Sequence, residues 1–93
     1  MARTTGGRRF VSIPDVVVPA ALTLLRAADE ARVGLVIVST DAAVGVRLGD
    51  DLATATRGAR LGPGASATIT ATGAVYAFSE GAAVTLSLAE ELS

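Results

Sequence analysis

Apolar and polar residues alternate with period two along much of the chain after Val16, in short runs punctuated by glycine, proline or aspartate. That pattern describes half-buried strands, since successive side chains of a strand point to opposite faces. The clearest run is Ala65 to Thr72: Ala65, Ala67, Ile69 and Ala71 share one face, and Ser66, Thr68, Thr70 and Thr72 the other. Gly73 breaks it before Ala74 to Ser79, which sets Tyr76 and Phe78 on one side. Ser79-Glu80-Gly81 reads as a hairpin-type turn, and the last strand points Val84, Leu86 and Leu88 inward against Thr85 and Ser87. Upstream, Val33 to Thr40 places Val33, Leu35 and Ile37 on one face and Val36 and Val38 on the other, predicting a strand buried on both sides. Thr40-Asp41 turns the chain. Val44, Val46 and Leu48 then alternate with Gly45, Arg47 and Gly49, showing Arg47 to solvent, until Gly49-Asp50-Asp51 ends the run. Leu52 to Arg60 reads as a polar connection with room for one helical turn. Leu61 leads into Gly62-Pro63-Gly64, a turn because Pro fixes φ and Gly permits positive φ.

The first third is less regular. Val16-Val17-Val18, closed by Pro19, suits an edge strand. Ala20 to Arg32 divides evenly on propensity. Its Ala, Leu, Arg and Glu favour a helix over Ala21 to Ala28, whereas Leu22 and Leu24 alternate with Thr23 as in a strand, and Asp29 to Arg32 make a polar turn. Met1 to Ser12 has no periodicity, and Gly6-Gly7 raises the entropic cost of order. The expected organisation is a flexible N-terminal arm over residues 1–14 and a β domain over 15–93. Six to eight short strands at about ten-residue spacing predict an all-β fold, a small antiparallel β-sandwich or jelly-roll-like barrel.

Composition changes the picture in two ways. Half of the 93 residues are hydrophobic (51%) but only 3% are aromatic, so the core is expected to be aliphatic, with Phe10, Tyr76 and Phe78 as its only rings. A core that light leaves a thin stability margin, which self-association or docking would relieve. The chain also lacks His, Cys and Lys, the usual proton shuttle, thiolate and amine base, so no enzyme activity, cofactor or metal is expected. Asp50-Asp51, an adjacent acidic pair before the C-terminus, reads as a solvated turn in preference to a cation site. Gly62-Pro63-Gly64 lacks the GK[ST] continuation of a phosphate loop. Arg47, Arg57 and Arg60 read as solvated surface arginines. Net charge is −1 and no ring falls between Phe10 and Tyr76, which argues against nucleic acid. No apolar run reaches the roughly 20 residues of a membrane span, and Pro14, Asp15 and Pro19 interrupt what would be a signal peptide. Glu90-Glu91 reads as a solvated tail. Thr68, Thr70 and Thr72, with Thr85 and Ser87, form a hydroxyl-rich face, either simply solvent-exposed strand formers or a flat surface suited to packing on another protein.

Several of these pieces, in this order, resemble a group of small bacteriophage virion proteins. The segments are Ala31-Arg32-Val33-Gly34-Leu35-Val36-Ile37-Val38-Ser39-Thr40, Val44-Gly45-Val46, Leu61-Gly62-Pro63-Gly64-Ala65-Ser66 and Thr72-Gly73-Ala74-Val75-Tyr76-Ala77. The likeness runs from about Leu24 to Glu91. It departs at Val38-Ser39, where the group commonly carries a polar residue and Asn, and at Ala65, where Glu is common. The resemblance implies a capsid decoration (cement) or head-fibre type of protein, carried on the capsid exterior after synthesis in the bacterial cytoplasm. Its implied partner is the major capsid protein, bound by a small homo-oligomer, a trimer by preference, with no nucleic acid and no membrane. It also favours strand over helix for Ala20 to Arg32. The candidate partner-binding residues are Arg3, Arg8, Arg9 and Phe10, whose cations could pair with carboxylates while one ring is buried. The alternative is a receptor- or glycan-binding module of a tail or head fibre, for which a chain without Trp, Asn or Gln is poorly equipped.

Overall fold

The period-two alternation becomes strand over most of its length, but Val44-Gly45 and Thr70 to Thr72, expected as strand, lie outside β4 and β6 in the connecting loops. The computed structural model describes residues 8–93, which form β1 (Arg9–Val18), β2 (Thr23–Arg26), β3 (Arg32–Ser39), β4 (Val46–Gly49), β5 (Ala59–Leu61), β6 (Ser66–Ile69), β7 (Val75–Ser79) and β8 (Val84–Leu92). Pairing is nested and antiparallel: β1 with β8, β2 with β7, β3 with β6, β4 with β5. The two halves of the chain therefore run together like the arms of one long hairpin whose tip is the β4–β5 connection. Two more antiparallel pairings, β3 with β8 and β4 with β7, fold that ribbon into two four-stranded sheets, β1-β8-β3-β6 and β2-β7-β4-β5. Only β4 and β5 are both consecutive and in one sheet; every other link crosses between sheets. Ser79-Glu80-Gly81 is one such crossing and not a hairpin, held by Ser79 Oγ, which accepts from Gly81 N and donates to Ala82 O.

Inward residues of both sheets share one core: Val18, Leu35, Ile37, Val84, Leu86 and Leu88 from the first, Leu25, Val46, Leu48, Leu61, Val75 and Ala77 from the second. Burying each Leu or Ile is worth about 1.5–3 kcal/mol, so this aliphatic cluster is the main source of stability. It contains no ring, contrary to the composition-based expectation. Phe10 is 71% exposed, and Tyr76 and Phe78 take the outward, half-buried positions of β7 while Val75, Ala77 and Ser79 turn in. The phase of β7 is set by its small residues, because the facing aliphatic side chains close completely over Ala77. Nor is β3 buried on both faces. Leu35 and Ile37 are fully enclosed, but Val38 is 38% exposed, because no third layer covers the outer side of the first sheet.

The start of the chain also differs from expectation. From Arg9 the chain pairs residue by residue with β8, Arg9 opposite Leu92 through Ile13 opposite Leu88, so the arm expected over 1–14 is strand from Arg9 onward. The alternating apolar positions Val11 and Ile13 supply the inward face. Register shifts between Ile13 and Val16, where Pro14, which has no N–H to donate, fits an edge strand. Ala20 to Arg32 contains β2 and a turn in which Asp29 Oδ1 accepts from Ala31 N and Asp29 O from Arg32 N; it is not a helix. In place of a helical turn, the β4–β5 connection holds a bridge between Thr54 and Arg57. Gly58 follows with φ +126°, and a Cβ there would lie 2.7 Å from Leu48 O, so the approach of this loop to β4 requires glycine.

Candidate docking face

The uncovered outer side of the first sheet is assembled by cross-strand register. One row runs Ser12, Ala89, Val36, Thr68; the next runs Ser87, Val38, Ser66; Val17 pairs with Thr85, and Phe10 with Glu91. Thr85 and Ser87 therefore share a face with Thr68 but not as neighbours, since β3 lies between and contributes Val36 and Val38. The result is a surface of methyls and hydroxyls in which Glu91 is the one charged residue among these positions, with apolar Phe10 and Val17 (59% exposed) on its β1 border. Val36, Val38, Ser66, Thr68, Thr85 and Ser87 were visible as alternating strand positions, whereas Phe10 and Ser12 fell in the expected arm and Glu91 in the expected tail. What alternation could not show was that four strands far apart in the chain would place those positions side by side.

Of the sequence-predicted site residues, Arg3 lies outside the described residues. Arg8 reaches Glu91 at 3.9 Å with both side chains largely exposed, a contact of little energetic weight. Arg9 and Phe10 follow as exposed residues at the start of β1. The three are adjacent on the free edge of the first sheet.

Two charged groups escaped the sequence reading. Glu90, expected in a solvated tail, is fully buried. Its carboxylate accepts a two-pronged contact from Arg26 (Nη2 to Oε1 2.9 Å, Nε to Oε2 3.2 Å) and one from Arg32 Nη1 at 3.2 Å. Arg32, itself buried, also donates to Ala27 O, Ala71 O and Gly73 O. It thus ties the β2–β3 turn and the β6–β7 loop to β8. The Arg26 fork, helped by Arg32, holds the Glu90 carboxyl below its ordinary value against the opposing effect of burial. The signal was present: the inward phase Val84, Leu86, Leu88 continues to position 90. On the second sheet, Arg47 and Arg60 stand opposite each other on β4 and β5. Glu80 joins them, its Oε2 2.8 Å from Arg47 Nε and 3.0 Å from Arg60 Nε. These arginines are not free surface cations; Glu80 neutralises a like-charge pair. The hydrogen bonds lower the Glu80 pKa and raise that of Arg60. Arg57 is exposed.

Asp50 Oδ1 accepts from Leu52 N at 2.9 Å, closing the turn after β4. Among the described residues no group of three or more potential ligands is placed to hold a metal ion, and no helix is long and apolar enough to cross a membrane. No family model matches the chain, and neither does any curated protein or solved structure.

Proposed function

We propose that the chain is a non-enzymatic virion structural protein, a jelly-roll β-sandwich that decorates the outer surface of a bacteriophage capsid and stabilises the shell, acting as a small homo-oligomer, a trimer by preference. The nested pairing of eight strands into two four-stranded sheets supports the jelly-roll reading, an architecture used by viral capsid proteins among others. One architecture serves many functions, so the reading is carried by a single surface observation: the outer side of the first sheet is uncovered and mostly uncharged, with Glu91, its neighbour Arg8 and Asp15 on the β1 side as its charges. Over most of its area such a surface has no ion hydration to lose when it is covered. Three strand spacings by eight residues give it about 400 Å², short of the roughly 800 Å² per partner of a stable pairwise interface. Contacts of this size hold through repetition, and capsid symmetry supplies repetition.

The test is mass spectrometry of particles purified from an induced culture of the strain encoding the chain. The expected result is the protein at many copies per particle. Ser12→Arg with Ser66→Arg places two charges on exposed positions of the face, and should strip the protein from particles without changing its melting temperature. Absence from wild-type particles, or undiminished occupancy by the double variant, would overturn the reading.

A further inference from the structure

At the free edge of β6, opposite the β1 edge, lies an apolar cleft of about 450 Å³ between the two sheets. Its walls include Leu48, Ala59, Ala67, Ile69, Ala71 and Val75, and Asp50 contributes the charged group of its lining. Asp51 follows, exposed, and among the described residues neither aspartate forms an ion pair. The β1 edge carries the complement. Among the described residues Phe10 has the most exposed large hydrophobic side chain, and it sits beside Arg8 and Arg9, which are exposed as well.

We infer that these two edges bind each other between copies of the chain. Phe10 of one copy fills the cleft of the next while Arg8 and Arg9 meet Asp50 and Asp51. Three observations commit the site to this occupant. The first is chemical, a ring flanked by cations facing an apolar cavity flanked by carboxylates. The second is that Phe10 cannot satisfy its own cleft, since β8 and β3 separate β1 from β6, a span of about 14 Å at ordinary strand spacing. The third is height along the strands. Val11, Glu90, Leu35 and Ile69 lie in one cross-strand row, so Phe10 and the cleft sit at the same level on opposite sides of the molecule. A head-to-tail contact between patches at equal height adds no rise per copy, so it closes into a ring where the rotation between copies divides a full turn and otherwise extends as an open row. This inference rests on the oligomeric part of the function proposed above and is independent of the particle.

Sedimentation velocity over a concentration series tests it with the full chain. Wild type is expected to self-associate as its concentration rises. Phe10→Ala should weaken association about 30-fold or more, as for a buried aromatic anchor. The charge reversals Arg8→Glu/Arg9→Glu and Asp50→Arg/Asp51→Arg should each yield monomers with wild-type circular dichroism. Mixed, they should associate again, because each acidic edge then meets a basic cleft and each basic edge an acidic one. Such assemblies alternate the two variants. If wild type associates but both reversals associate equally well, or association is lost only through Ser12→Arg on the sheet face, this inference fails and the oligomer stands. A wild type that stays monomeric overturns both.

Discussion

Glu90→Gln keeps the shape of the side chain and removes its charge, so its effect isolates what the buried carboxylate does. In the native protein Glu90 is the shared acceptor of Arg26 and Arg32, and the Arg32 side chain has no solvent exposure. The amide would turn an NH2 toward a guanidinium that offers only donors, leaving the Arg32 charge to three backbone carbonyls. Removing one member of a buried pair costs about 3–5 kcal/mol; the remaining carbonyls put this case at the lower end, about 3 kcal/mol. For a domain of this size that lowers the melting temperature by about 15 °C. Arg26→Ala removes a partner whose side chain is 36% exposed, so solvent screening limits the loss to about 1 kcal/mol. The pH dependence gives an independent check. Glu90 has a folded pKa below its ordinary 4.5, so its stabilisation is complete above that value and disappears as pH falls through the folded pKa. Thermal melts monitored by circular dichroism from pH 7 to pH 3 should therefore show wild type losing its advantage over Glu90→Gln on the acid side. A variant that melts within a few degrees of wild type at pH 7, or keeps a constant offset down to pH 3, would refute this account of the network.

Two further substitutions test the packing of the sheets by urea unfolding. Ser39→Ala should be neutral or stabilising by up to about 1 kcal/mol, because the Ser39 hydroxyl is buried without a hydrogen-bond partner; Ser79→Ala, which breaks two contacts, should cost about 1 kcal/mol. Gly58→Ala combines positive φ with a Cβ at 2.7 Å from Leu48 O and should cost more than about 2 kcal/mol, whereas Gly64→Ala, also at positive φ (70°) but with open space around it, should cost about 1 kcal/mol; equal losses would show that backbone strain alone decides both.

Local alternation was enough to establish an all-β chain and most inward and outward positions. Val84, Leu86 and Leu88 point in, Thr85 and Ser87 point out, and Gly62-Pro63-Gly64 turns with Gly64 left-handed. These follow from two-residue periodicity and from φ preferences, which are properties of neighbouring residues. The candidate face was legible in part as residues, from β3, β6 and the middle of β8, and illegible as a surface, since adjacency of Ser12, Ala89, Val36 and Thr68 depends on pairing between strands up to 77 positions apart. The same distance hid the ion pairs: Arg26 and Arg32 meet Glu90 across 64 and 58 residues. The rings were misplaced because composition counts hydrophobic side chains without saying which phase of a strand faces the core, and β7 turned its small residues inward. The arm was misread because a polar, glycine-flanked start has low propensity for order by itself. From Arg9 onward it is strand because β8, a strand from the far end of the chain, offers it an antiparallel edge. Tertiary structure alone decided which edges remain unpaired, and so set Phe10 and the cleft on opposite sides of one sheet.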